Sequence, residues 1–200
     1  MESTVKSFDV ELCFRQSYDV YRSNFLVFIL ASLAATVLGV CTLGILMGPL
    51  QAGLFMMILK KLRTGETPKF DELFNYFNHF GRFVLLFYIL FICTLIGFLI
   101  VIVPGILVLT IFMYSFLIAC DKDMYGSDTL GQSYRLVTTN VFWKHLVLMI
   151  MILALLGMAS SIPHVGKALW IPLIPLTYGI IASAYHQLLD ENPVKETVSI

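Results

Sequence analysis

Residues 25–59 read FLVFILASLAATVLGVCTLGILMGPLQAGLFMMIL and contain no Asp, Glu, Lys or Arg. As one straight helix these 35 residues would reach about 52 Å at 1.5 Å per residue, against a bilayer hydrocarbon core of about 30 Å. One span is too few for them. Two tilted helices joined by a tight turn fit, and Gly39, Gly44, Gly48 and Pro49 supply the breakers where that turn has to lie.

Outward from this run, the charge-free stretch 83–120 divides in the same way at Val103-Pro104-Gly105. The charge-free stretches 145–166 and 168–189 meet near a polar turn, Ser160-Ser161-Ile162-Pro163-His164. The expected fold is therefore an all-α integral membrane protein of six transmembrane helices in three hairpins. Composition agrees: 58% of residues are hydrophobic and 13% charged, with a mean hydropathy of +0.86, whereas soluble chains are roughly one-quarter charged.

Charge asymmetry gives the orientation. With three hairpins, every Lys and Arg except Lys167 falls on one side, and so does every acidic residue. Cytoplasmic loops retain Lys and Arg, so both termini are expected in the cytoplasm and the outer loops are short turns. The first 24 residues mix both signs of charge, which is unlike a signal-peptide n-region, and the N-terminus is expected to be retained. A net charge of zero offers no clustered basic face for nucleic acid. Cys13, Cys41, Cys93 and Cys120 show no CxxC spacing, and only Cys41 approaches the outer side, so buried thiols without a disulfide framework are expected.

The chain also reads as one membrane domain, residues 1–200, with approximate repeat units 8–64, 70–123 and 127–190. Each unit opens with an Asp (Asp9, Asp71, Asp128), suited to the positive end of a helix dipole. A short apolar stripe at helical spacing follows: Phe14, Tyr18, Tyr21 and Phe25; then Phe70, Leu73, Phe74, Phe77 and Phe80; then Leu130, Tyr134, Val137 and Val141. Such stubs are expected to be amphipathic helices in the membrane interface, one before each hairpin. Phe14, Tyr18, Tyr21, Phe70, Phe74, Phe77 and Tyr134 are the candidate contacts to lipid or partner.

The segments Gly48-Pro49-Leu50-Gln51-Ala52-Gly53, Lys61-Leu62-Arg63-Thr64-Gly65-Glu66, Phe70-Asp71-Glu72-Leu73-Phe74 and Val103-Pro104-Gly105-Ile106 carry a resemblance over nearly the whole chain. The chain resembles a family of uncharacterised prokaryotic polytopic membrane proteins, similar to the membrane domain attached to some glycerophosphoryl diester phosphodiesterases. The resemblance implies helical hairpins in a bacterial or archaeal cell membrane, the inner one where there are two. Enzymatic members of that family carry their chemistry in a separate soluble domain, so no catalytic residue transfers.

Ionisable groups inside a bilayer are costly and mark function, and the expected spans carry none except at their ends. This weighs against an intramembrane protease, a proton-driven pump or a metal centre. His79, His145, His164 and His186 show no ligand spacing and are read as interfacial or loop residues, and Asp121, Asp123 and Asp128 as solvated turn residues. Gln51, the one carboxamide inside a span, heads the intramembrane polar candidates with Tyr88, Thr110, Tyr114 and Tyr178; Thr177 could join them, and interhelical packing is the reading favoured for all. Pro172 and Pro175 are expected to distort the last span.

No catalytic, cofactor or metal site is expected. The function read from the residues is a non-enzymatic membrane scaffold, or lipid- or protein-interaction module, whose partners are membrane lipids and a membrane or cytoplasmic protein. The alternative is a passive channel or transporter for a small neutral or lipidic solute, and a homo-oligomer fits either.

Overall fold

The computed structural model describes residues 8–161 and 166–189, and every regular element among them is helical. In chain order these are α1 (Val10–Ser23), α2 (Phe25–Cys41), α3 (Met47–Thr64), a 3₁₀ segment (Phe70–His79), α4 (Phe80–Ile100), α5 (Ile102–Phe112), α6 (Ser115–Asp121), α7 (Gly126–Thr139), α8 (Phe142–Ser160) and α9 (Gly166–Leu189). Residues 162–165, the far half of the third expected turn, lie outside the described residues, as do the acidic pair Asp190-Glu191 and the first seven residues.

Three stretches are long and apolar enough to cross a membrane: 70–100, 102–121 and 142–160. A fourth is available if α1 and α2, which meet at a 94° bend, form one broken span. Outward faces of α2, α4 and α8 expose large apolar side chains such as Leu26, Leu99 and Val147. Water would penalise such a surface and lipid would not. Buried residues concentrate instead on α3, α6 and the second half of α9, which occupy the interior.

Local chemistry explains most boundaries. Asp9 caps α1 by accepting from the Glu11 and Leu12 amides, satisfying donors that the first helical turn leaves open. Between α2 and α3 the chain turns over Thr42–Leu46, with Gly44 at φ 89°. A side chain is strained at that angle, so glycine sits there. The Thr42 hydroxyl donates to the Leu38 carbonyl and accepts from the Leu46 amide, tying the end of α2 to the next turn.

The turn expected at Val103-Pro104-Gly105 lies two residues earlier, at the extended Val101. Pro104 falls in the first turn of α5, where its missing N–H costs nothing, so the break has to precede it. A second interruption, at Met113-Tyr114, separates α5 from α6. The last helix runs without interruption through Pro172 and Pro175, so the expected distortion does not break it.

Each amphipathic segment packs on helices outside the hairpin that follows it: α1 on α9, the 3₁₀ segment on α3, and α7 on α5 and α6. Two of these contacts share a sequence and a bond. Seven residues after Ser17 in Gln16-Ser17-Tyr18 comes the α1 C-cap Asn24, and seven after Ser133 in Gln132-Ser133-Tyr134 comes the α7 C-cap Asn140. Ser17 donates to the Leu176 carbonyl at 2.7 Å and Ser133 to the Ile111 carbonyl at 2.8 Å. The receiving helices echo each other too, as Pro49-Leu50-Gln51-Ala52-Gly53 and Pro175-Leu176-Thr177-Tyr178-Gly179. Both closing glycines permit close approach: a Cβ on Gly53 would lie 2.1 Å from the Leu73 carbonyl oxygen, and one on Gly179 would lie 2.3 Å from the Ser17 hydroxyl.

Candidate functional site

Neighbouring pairs α3–α4, α4–α5, α5–α8, α8–α9 and α9–α3 close a ring of five helices. Inside it lies a cavity of ≈ 350 Å³, a volume in the range of small-molecule sites. Two tiers of side chains from α3, α5, α6 and α9 shape it. Gln51, Phe112 and Thr177 form one tier, and Phe55, Phe116 and Ile181, each four residues further along, form the next. Four residues is one helical turn, so Gln51 and Phe55 share a face of α3, and Thr177 and Ile181 a face of α9. Phe112 and Phe116 come from α5 and α6, on either side of the Met113-Tyr114 interruption. Phe87, Leu90, Phe91 and Thr94 of α4 and Met149, Ile152, Leu153 and Leu156 of α8 complete the wall.

Aromatic stacking closes the second tier. The Phe55 ring lies on Tyr178 with centroids 4.3 Å apart and planes 6° from parallel, and Phe116 stacks at 6.4 Å. The polar contribution comes from Gln51, Thr94, Thr177 and Tyr178, and Thr177 spends its hydroxyl on the Ile174 carbonyl at 2.9 Å. A pocket with apolar walls and a few neutral hydrogen-bonding groups suits an uncharged, largely apolar guest.

Of the intramembrane polar candidates, the ring brings together Gln51 and Tyr178, with Thr177 beside them. The other three lie elsewhere. Tyr88 packs edge-on against Phe87, the Thr110 hydroxyl donates to the Ile106 carbonyl, and Tyr114 is fully buried between His145 and Tyr185. Phe70, Phe74 and Phe77 form a ladder continued by Phe80, with successive centroids 5.9, 5.7 and 6.3 Å apart. Phe70 and Phe74 are exposed, as are Tyr18 and Tyr134; Phe14, Tyr21 and Phe77 pack partly against the core.

Two readings from the sequence are corrected. His145, read as interfacial or in a loop, is fully buried in the first turn of α8, between Phe8 at 4.9 Å and Tyr114 at 5.6 Å. Its Nδ1 lies 3.2 Å from the Val141 carbonyl, a bond that lets a neutral imidazole sit among aromatic rings. Asp121, read as a solvated turn residue, is largely buried at the end of α6 and holds an arginine, whereas Asp123 stays exposed in the turn as expected and also pairs with one. Asp121 accepts from Arg63 at 2.5 and 3.0 Å and from the Tyr185 hydroxyl at 3.0 Å, joining the ends of α3 and α6 to α9. Asp123 accepts from Arg82.

A second polar lock joins α1 to α9. The Ser183 hydroxyl and the Gln187 amide both donate to the Gln16 side-chain oxygen, and the Asp9 amide donates to Gln187. Cys13 lies inside this lock, and burial pushes its thiol up to about 12, against hydrogen bonds from Ser183 and Gln187 that pull the other way. Among the described residues no group of three metal-ligating side chains comes together.

The chain matches no protein-family model, no curated protein and no solved structure.

Proposed function

We propose that this chain is a six-span, non-enzymatic membrane protein that holds an uncharged apolar molecule drawn from the surrounding lipid in its five-helix ring. The single observation that carries the reading is the lining of the cavity: aliphatic and aromatic side chains throughout, with a carboxamide and hydroxyls as the polar groups. Such a wall binds by apolar contact and neutral hydrogen bonds, and offers no carboxylate, imidazole, thiol or amine to begin a reaction.

In this reading α2, α4, α8 and the helices that follow them pair as three hairpins, with the stubs at the cytoplasmic interface. The shared Gln-Ser-Tyr segments, with their matching serine hydrogen bonds, and the shared Pro-Leu-x-x-Gly segments support a common plan for the first and third units. The resemblance to the membrane domain of glycerophosphoryl diester phosphodiesterases points the same way. The exposed aromatic ladder Phe70-Phe74 gives the cytoplasmic side a surface for lipid or a protein partner.

The test is mass spectrometry of the intact protein released from its own membranes in mild detergent. One apolar molecule should be retained per chain in the wild type and lost in Leu153→Trp, which puts an indole into the cavity. A folded wild type that retains none would overturn the reading. A second reading, passive passage of a lipidic solute, is favoured because the ring draws on all three proposed hairpins, the second helix of the first and both helices of the other two. Solute transfer between liposomes, slowed by Gln51→Leu, would select it over a holding role.

A further inference from the structure

Arg82, near the start of α4, is the best-buried cation of the described ion pairs, with 8% of its side chain exposed. Its guanidinium is nearly used up. Nη1 donates to Asp123 at 2.5 Å, Nη2 donates to the carbonyls of Ala119 and Met124, and the ring of Tyr125 lies 3.9 Å from the guanidinium carbon. The Nε–H is buried without a partner among the described residues, and so is the hydroxyl of Thr129 on α7. Both residues line one cavity of ≈ 220 Å³, whose other walls include Leu85, Leu86 and Ile89. Two orphaned polar groups on residues that line one apolar cavity need an explanation, because each costs the free energy of a lost hydrogen bond.

This cavity opens where the bundle meets lipid. Leu85 is exposed, and Ile92, Ile96 and Leu99 continue the exposed apolar face along α4 at spacings of 7, 4 and 3 residues, a single helical stripe. A molecule seated between Arg82 and Thr129 therefore has a ready path for a hydrocarbon tail along α4. Asp123 already balances the arginine charge, so the unsatisfied Nε–H and hydroxyl call for an uncharged acceptor oxygen. At the end of a membrane-facing stripe, a lipid's acyl ester provides that oxygen together with the tail.

We propose that the Arg82–Thr129 cavity is a binding site for a diacyl lipid, read through an ester carbonyl and not through headgroup charge. The carbonyl oxygen accepts from Arg82 Nε and the Thr129 hydroxyl, and the chain leaves over Leu85 and Ile89. The site is distinct from the five-helix ring and does not depend on what that ring holds.

The experiment is a lipid titration of the full chain in detergent, followed by mass spectrometry of the intact complexes. It uses diacyl phosphatidylcholine, its ether-linked analogue lacking the ester carbonyls, and diacyl phosphatidylglycerol. The wild type should hold one ester lipid about fivefold more tightly than the ether analogue, the scale of one net hydrogen bond, with little difference between the two headgroups. Thr129→Val, near-isosteric, removes one of the two donors and should reduce the ester preference, and Leu85→Trp should remove this lipid while the folded fraction is unchanged. A lipid in the central ring is present in every variant and cancels from these ratios. Equal binding of ester and ether lipids by the wild type would mean that water satisfies the two groups, and would overturn the proposal. So would a preference set by headgroup charge, or binding unaffected by both substitutions.

Discussion

At the junction where α3 and α6 end against α9, directional bonds do the fastening: Asp121 takes two bonds from Arg63 and one from Tyr185. Further along the same three helices, the side chains that meet are Phe55, Phe116, Ile181 and Tyr178, and beyond them the packing opens into the cavity. The bundle is thus fastened by charge at one place and left loose in another a few turns away. Hydrogen bonds fix the separation of helix ends to within a few tenths of an ångström. Apolar contacts carry no such demand, so the helices can stand apart where their walls are aliphatic and aromatic. An apolar void costs stability in proportion to its size, and that cost is recovered when a guest fills it.

The largest effect is expected where backbones touch. Gly53→Leu would drive a side chain into the Leu73 carbonyl and should cost about 3 kcal/mol or more, read as a lowered thermal midpoint in detergent. Gly157→Ala, with open space around it, is the matched control and should leave the midpoint nearly unchanged. Next comes the charged junction. Asp121→Asn leaves Arg63 without its counter-charge and should cost about 2 kcal/mol, less than a fully buried pair because both side chains retain some exposure.

Loosening the junction and filling the cavity should act oppositely. Leu153→Trp is expected to change the midpoint by less than about 1 kcal/mol, because it occupies a void and does not displace packed neighbours. The smallest effect concerns Cys13 against Cys41. The pKa of Cys13 lies above its ordinary 9.0, so the thiol stays protonated, and the stability this lends is full below 9.0 and lost as pH rises toward 12. A soluble maleimide at pH 8 should therefore modify the exposed Cys41 and spare Cys13 in the folded protein. Labelling of Cys41 in intact cells by a membrane-impermeant maleimide would in addition place the α2–α3 turn outside.

The helical stubs are legible because their signals are local. The acidic start of α1, the 3.6-residue stripe and the glycine turn after α2 each lie within a few neighbours. Gln51 is legible as the one carboxamide in a long apolar run, and the ring does present it to the cavity. What cannot be read locally is pairing across the chain. Arg63 and Asp121 lie 58 positions apart, and Phe8 reaches His145 from the opposite end of the sequence. Phe55 and Tyr178 look like ordinary core or interface aromatics until the fold stacks them. The 3₁₀ form of 70–79 and the Met113-Tyr114 interruption also escape pattern reading, because periodicity identifies an apolar face more securely than it separates helix types.

Occupancy of the five-helix ring by an apolar guest is the central proposal. The most direct measurement is crosslinking in native membranes supplied with lipids bearing a photoactivatable group in the acyl chain, with the modified residues mapped by peptide mass spectrometry. Crosslinks at the cavity-lining positions Phe112, Met149 and Leu153, abolished by Leu156→Trp, are the predicted result. Crosslinks confined to outward residues such as Leu95 and Leu99, with none inside the ring, would contradict it.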